Sequence, residues 1–242
     1  NSINFCRLFA FFCKFMSKIF FNLNVKSFVL RSGRVTSAQK RALRDFSEFF
    51  CVPFSKKELL PEKIFENINP VVLDIGFGMG SEIIDFSIKN PTKNVLGIEI
   101  YKPAIGNLLK NIYEKNIKNI RIIEYDAYCV LYYMIPDKSI DEIHIYFPDP
   151  WPKKKHVKRR LLNVKFAEIV ARKLKNRGEI KCATDNHDYA EQIVSVLGKQ
   201  KCLKNSNDKY GDRPKDRIIS KFEQKAFNND SSIYEIVYQR LS

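Results

Sequence analysis

Histidine, methionine and tryptophan are scarce in this 242-residue chain, at three, three and one. Its six cysteines, Cys6, Cys13, Cys51, Cys129, Cys182 and Cys202, form no CxxC pair and no metal-ligand spacing. With so few histidines to help, no zinc set can be assembled, and none is expected for any metal. Scattered free thiols suit a reducing compartment, so a cytoplasmic protein is expected. Long apolar runs are also missing. Residues 5–23 are rich in Phe, Ile and Leu, but Arg7, Lys14 and Lys18 interrupt them. The uninterrupted stretches fall far short of the roughly 20 residues a membrane span needs. No small-residue cleavage site follows, which argues against a secretory signal. Met16 is the expected start, with residues 1–15 as upstream readthrough or a fragment boundary; an acid-free organellar transit peptide is the alternative.

Acid is missing in two further places. Residues 1–44 hold nine Lys/Arg and no Asp or Glu, and residues 153–177 hold eleven Lys/Arg against the single acid Glu168. The net charge is +15. A field of that sign, concentrated in blocks, favours polyanions, with nucleic acid first among them.

What is present is an alternation. VVLDI (71–75), VLGIEI (95–100), IRIIEYD (120–126), IDEIHIYF (140–147), EIKCAT (179–184) and IYEIVYQRL (233–241) read as strands. Helical spacing fills 80–89, 103–115, 127–134, 162–176 and 186–198 between them. Strands alternating with helices mean βαβ units, hence an α/β fold with a mostly parallel twisted sheet and helices on both faces. Three segments are expected: an N-terminal extension (1–23), a basic arm, irregular or helical (24–62), and the α/β domain (63–242).

In such sheets ligands bind beyond the carboxyl ends of the strands. The first strand ends in DIGFGMG, with Asp74 ahead of Gly76, Gly78 and Gly80. A dinucleotide fingerprint needs glycine at position 81, where Ser81 stands, so an NAD enzyme is disfavoured. The second strand ends on Glu99, placed to accept ribose hydroxyls. The third ends at Asp126, either an adenine contact or a helix N-cap. The fifth ends at Asp185, either a carboxylate of the site or a helix N-cap. The fourth ends in FPDPWPKKKHVKRR (147–160), where Asp149 sits between two prolines and against the densest positive block of the chain. Trp151, the only tryptophan, walls a pocket, stacks on a base or packs in the core.

Taken together these residues resemble the tRNA (guanine-N7-)-methyltransferase family of bacterial type, over about residues 26–242. The pieces that carry the resemblance are SFVLRSGRVTSAQKRAL (27–43), LDIGFGMG (73–80), GIEIYKPAIG (97–106), YFPDPWPKKKHVKRRL (146–161), ATDNHDYAE (183–191) and RPKDRIISKFEQKA (213–226). FPDPW with its basic tail and the KFEQ element are the specific ones; DIGFGMG belongs to many methyltransferases. Asp74, Pro152 and Asn186 stand where the family commonly has Glu, His and Trp, and none of these departures removes a carboxylate or Lys153.

The resemblance implies a Rossmann-like class I fold and transfer of a methyl group from S-adenosylmethionine to guanine N7 in the variable loop of tRNA. It implies cofactor contacts at Asp74, Gly76, Gly78, Gly80, Glu99, Asp126 and Asp149, with Asp149 also catalytic. It implies substrate contacts at Lys153, Asp185, Ser220, Lys221, Phe222 and Glu223. RNA contacts are expected at Lys155, His156, Lys158, Arg159 and Arg160, with Arg31, Arg34, Lys40, Arg41 and Arg44 of the arm adding to the grip. The expected partner is tRNA, the expected state monomer or homodimer, without a membrane. Two rivals share the fold: a methyltransferase with another RNA or protein target, whose sites typically carry Asn/Asp-Pro-Pro-Phe/Tyr turns, and a non-catalytic RNA-binding module.

Overall fold

Strand β1 (Val71–Ile75) is buried along its whole length, as a strand covered by helices on both faces must be. The computed structural model describes residues 33–242 except Asp216, Asn229 and Asp230, and for Lys221 and Phe222 it describes the backbone alone. Around β1 lie β2 (Asn94–Glu99), β3 (Ile120–Glu124), β4 (Ile140–Tyr146), β5 (Leu174–Thr184), β6 (Leu203–Asn205) and β7 (Tyr234–Arg240). They form one seven-stranded sheet in the order β3-β2-β1-β4-β5-β7-β6. The first five are mutually parallel, and β7 runs antiparallel between β5 and β6. Parallel neighbours need crossovers, and helices supply them. Strand order reverses at β1, between β2 and β4, which opens a crevice at their carboxyl ends.

The helices are α1 (Ser37–Phe50), α2 (Pro61–Phe65), α3 (Ser81–Lys89), α4 (Lys102–Glu114), α5 (Ala127–Tyr133), α6 (Val164–Lys173), α7 (His187–Gly198) and α8 (Lys221–Asn228). The expected fold class is what is found. Helix α1 begins with a capping box: Gln39 N–H donates to Thr36 Oγ1, and Thr36 N–H donates to Gln39 Oε1. Its apolar side, Ala42 with Leu43, Phe46 and Phe50, joins the core of Ile105, Leu108, Leu109 and Ile112 on α4. The approach is close because position 106 is glycine. A Cβ there would sit 3.0 Å from the Gln39 carbonyl oxygen. Arg31 and residues 1–23 lie outside the described residues.

One boundary differs from expectation. The helix expected over 162–176 ends at Lys173, and β5 starts at Leu174 rather than 179. Leu174 pairs with Ile140, and the register shifts between Ile140 and Glu142. Arg177 takes a left-handed φ of 64° where the strand kinks. Burial of Leu174 against β4 outweighs the helical spacing that continues through it. No helix among the described residues is long and apolar enough to cross a membrane.

Candidate active site

The turn after β1 is built on backbone only glycine adopts readily: φ is 77° at Gly76, 53° at Gly78 and 86° at Gly80. A Cβ at Gly80 would meet Leu108 Cδ1 at 3.1 Å, so this glycine seats α3 on α4. At Gly76 and Gly78 a Cβ would meet nothing within 4 Å. Those two positions face open space, which leaves bare backbone for a ligand to approach.

That space is a cavity of about 570 Å³ lined by Asp74, Glu82, Glu99, Asp126 and Asp149, with Phe77, Ile100, Phe147, Leu161 and Ser220 among its other walls. The side chains at the ends of four parallel strands thus converge on one hollow. Glu99 is fixed by its surroundings. Its Oε1 accepts from Ile100 N–H (2.7 Å) and Tyr101 N–H (3.1 Å), and its Oε2 accepts from Gly78 N–H (3.2 Å). Burial pushes its carboxyl above the usual range, those three donors pull it back, and Asp149 adds repulsion. Asp74 is pushed well up by burial and by the charges of Glu82 and Glu99. Asp126 caps α5, accepting from Cys129 N–H at 3.0 Å, as its N-cap reading expects, and it also lines the cavity.

Asp185 is exposed and lies outside this lining; the cap of α7 is Asn186, which accepts from Tyr189 N–H at 2.8 Å. The N-cap reading of Asp185 is therefore corrected: Asn186, one residue on, fills that place.

The FPDPW turn is under strain at both ends. Phe147 (φ 50°) and Trp151 (φ 43°) take left-handed backbone, which costs bulky residues roughly 1–3 kcal/mol each. Trp151 is not in the core. It is half-exposed, with the Arg159 guanidinium 4.3 Å over its ring and His156 edge-on at 5.7 Å. A 3₁₀ helix (Lys154–Arg159) carries the basic run, and Lys153, Lys154, Lys155 and Lys158 are exposed. Desolvation, then the charges of Lys155, Arg159, Lys153 and Lys158, hold the His156 imidazole below its ordinary pKa.

Arg160 departs from its expected place on this face. It is 2% exposed, and its guanidinium is committed inside the protein. Nε donates to the Pro150 carbonyl (2.8 Å), Nη1 to Gln192 Oε1 (2.9 Å) and Nη2 to Asp188 Oδ2 (2.6 Å). No fork remains for an RNA phosphate, so Arg160 leaves the set of surface cations.

At the C-terminal side, Ser220 and Glu223 form the capping pair of α8: Ser220 N–H donates to Glu223 Oε2 (2.9 Å), and Glu223 N–H donates to Ser220 Oγ (3.2 Å). Ser220 reaches the cavity, whereas Glu223 is fully buried and receives Arg213 (3.0 Å) and Arg217 (2.6 Å). Burial works against its charge, but Arg213, Ser220 N–H and Arg217 keep the carboxyl below the usual range.

Sequence reading missed Glu82 and Arg217, which tie this segment to the cavity. Arg217 also pairs with Glu235 and lies 4.7 Å over the Tyr146 ring. Its Nε is 3.6 Å from Glu82 Oε1, and neither atom has a hydrogen-bond partner among the described residues. Burial lifts the Glu82 carboxyl to about 7, against the pull of Arg217. The one sequence cue was an acid in the first helical turn after Gly80.

The site fits the S-adenosylmethionine that the resemblance implies. A cavity of this volume takes a nucleoside-sized molecule. Bare glycine backbone lies beside it, and the carboxyl-rich lining suits a ligand bearing an ammonium and a sulfonium, whose charges favour the ionised carboxylates. Among the described residues no group of three His, Cys, Asp or Glu is placed to hold a metal.

A family model described as "Putative methyltransferase" matches residues 68–236. A protein of Paraburkholderia xenovorans strain LB400 named tRNA (guanine-N(7)-)-methyltransferase is 41% identical over 216 residues, covering 89% of this chain and 83% of its own. A protein of the same name from Francisella philomiragia is 41% identical over 218 residues, covering 90% and 95%. Among solved structures, the 16S rRNA methyltransferase KamB aligns with a TM-score of 0.56 at 13% identity, over 76% of this chain and 96% of that one. The 30S ribosomal A1408 methyltransferase of an uncultured bacterium aligns with a TM-score of 0.53 at 16% identity, over 74% and 91%. At such identities these two speak to the fold alone. Sequence identity over nine-tenths of the chain, on a doubly wound sheet whose strand ends meet in one acidic hollow, settles the assignment: the chain belongs to the tRNA (guanine-N(7)-)-methyltransferase family.

Proposed function

We propose that this protein transfers the methyl group of S-adenosylmethionine to N7 of a guanosine in the variable loop of tRNA. The observation that carries the reading is the junction at residues 149–155, where an acid of the cavity wall passes directly into exposed cations. One end of that segment suits a cationic reaction centre, the other a phosphate backbone.

When bound, S-adenosylmethionine supplies an electrophilic methyl on sulfur. Guanine N7 presents a lone pair and no proton, so displacement needs no general base. Its products are N7-methylguanosine, now cationic, and S-adenosylhomocysteine. Positioning is the main contribution left to the protein, and well-oriented reactants lower a barrier by up to roughly 7–11 kcal/mol. Asp149 orients the guanine through its N1 and N2 donors and stabilises the charge that arrives with the methyl. Glu99 already accepts three of the roughly four bonds a carboxylate takes. It has room for one ribose hydroxyl rather than two. Asp74 faces the ammonium of the cofactor, Asp126 its adenine, and Gly76, Gly78 and Gly80 shape the turn around it.

Lys153, Asp185 and Ser220 approach the substrate nucleotide, with Lys221 and Phe222 following on the same helix turn. Glu223 acts through Ser220, which it caps. Lys155, His156, Lys158 and Arg159 meet RNA phosphates, joined by the exposed Arg34, Lys40, Arg41 and Arg44 of the arm. The catalytic domain is residues 63–242 and the arm 24–62, working in the cytoplasm as a monomer or homodimer.

The test uses two tRNA transcripts, one with guanosine and one with 7-deazaguanosine in the variable loop. Methyl transfer to the first and none to the second supports the reading. Equal transfer to both overturns it.

A further inference from the structure

The basic run hides one residue of a different kind. Between Phe147 and Lys153, positions 148, 150 and 152 are proline and have no N–H. The turn that carries Asp149 therefore has few donors of its own, and two of its residues sit in left-handed backbone. Something outside the turn has to hold it. The Pro150 carbonyl, one peptide beyond Asp149, accepts from Arg160 Nε at 2.8 Å.

Arg160 is itself held. Nη1 reaches Gln192 and Nη2 reaches Asp188, both on α7, and the guanidinium lies 4.9 Å over the Tyr189 ring of the same helix. The chain just beyond is fastened to α7 as well. Leu162 N–H donates to Tyr189 Oη (3.0 Å), and Gln192 Nε2 donates to the Leu162 carbonyl (2.8 Å). A planar fork with fixed donors can join a carbonyl, an amide and a carboxylate at once, and a lysine ammonium cannot reproduce that plane.

We infer that Arg160 is a positioning residue for methyl transfer: it clamps the Pro150 carbonyl to helix α7 and so fixes where Asp149 stands in the cavity. This rests on the role proposed for Asp149. Arg160 touches neither substrate nor cofactor, and it contributes nothing to the phosphate-binding face that its neighbours form. A displacement of about 1 Å at a reacting group can cost on the order of a hundredfold in rate.

The full-length protein is tested with Arg160→Lys, Arg160→Met and Asp188→Asn, alongside wild type. Single-turnover methyl transfer to tRNA, tRNA affinity across a salt series, and emission and acrylamide quenching of Trp151 are measured. Trp151 is the only tryptophan, so its signal reports this turn alone. Arg160→Lys and Arg160→Met are expected to slow transfer by roughly 30–100-fold. The salt slope should stay unchanged, and quenching of Trp151 should rise. Asp188→Asn, at a side chain 77% exposed and so safe for folding, should slow transfer by a smaller factor with the same change in quenching.

An unaltered rate and Trp151 signal in both Arg160→Lys and Asp188→Asn overturns the clamp. A salt slope reduced by about 0.7 or more in Arg160→Lys also overturns it, because that is the signature of a lost phosphate contact. A wild-type protein that methylates no tRNA would refute the proposed function instead, and the Trp151 signal would still decide the clamp.

Discussion

Glu82→Gln should change how stability depends on pH. Burial raises the Glu82 carboxyl from 4.5 to about 7 even though Arg217 lies beside it. One pKa unit is worth about 1.4 kcal/mol, so this shift corresponds to about 3 kcal/mol. The sign follows from proton counting. Between pH 4.5 and 7 the native protein keeps a proton that the unfolded chain has released, so native stability falls as pH rises through that window. The penalty is complete above 7 and absent below 4.5. Glutamine keeps the shape and has no proton to lose. The variant should therefore gain about 3 kcal/mol on wild type between pH 4.5 and pH 8. Burial, the largest cause of the raised Asp74 carboxyl, is common to both proteins, whereas the push from the Glu82 charge is lost in the variant. Urea unfolding of both proteins at four pH values across this range measures it. Parallel curves would show that Glu82 is ordinarily ionised and that its position beside Arg217 compensates its burial.

Asp149→Ala should lower turnover by on the order of 10²–10³-fold, with S-adenosylmethionine affinity changed little, read by single-turnover assay and calorimetry. Replacing Lys155, Lys158 and Arg159 with alanine should weaken tRNA binding and flatten its salt slope by about 0.7–0.9 per lost phosphate contact, read by filter binding at several salt concentrations. Arg217→Met should destabilise by about 3–5 kcal/mol, since Glu223 and Glu235 lose the cation they surround; the unfolding midpoint measures it. Gly97→Ala should cost about 1–3 kcal/mol, because its Cβ would meet Phe77 Cδ1 at 2.8 Å and push against the glycine turn.

Strands β1 and β2 were legible as short apolar runs bounded by turn residues, and β3, β4, β5 and β7 as stretches in which buried apolar residues recur between polar ones. Three-residue β6 is too short to leave a pattern, and it exists only because β7 offers it an edge. The α6–β5 boundary was misread because Lys173 and Leu174 continue a helical spacing that tertiary pairing with β4 overrides. In the site, strand-end acids could be located from sequence, since topology alone carries them to one end of the sheet. Which of them faces the hollow could not. Asp185 follows a strand end as Asp126 does, yet it is exposed and outside the cavity lining. Arg160 is one of a row of cations in sequence, and only its three partners distinguish it from Arg159. Glu82 and Arg217 are far apart in the chain, so their meeting needed the fold.

The central claim is that this acidic hollow and its cationic rim serve methylation of one guanine atom in tRNA. Incubation of the protein with labelled S-adenosylmethionine and total tRNA, followed by nucleoside analysis and position mapping, tests it most directly. Label in N7-methylguanosine from the variable loop is the predicted result. Label in any other nucleoside, or none in tRNA, would contradict it.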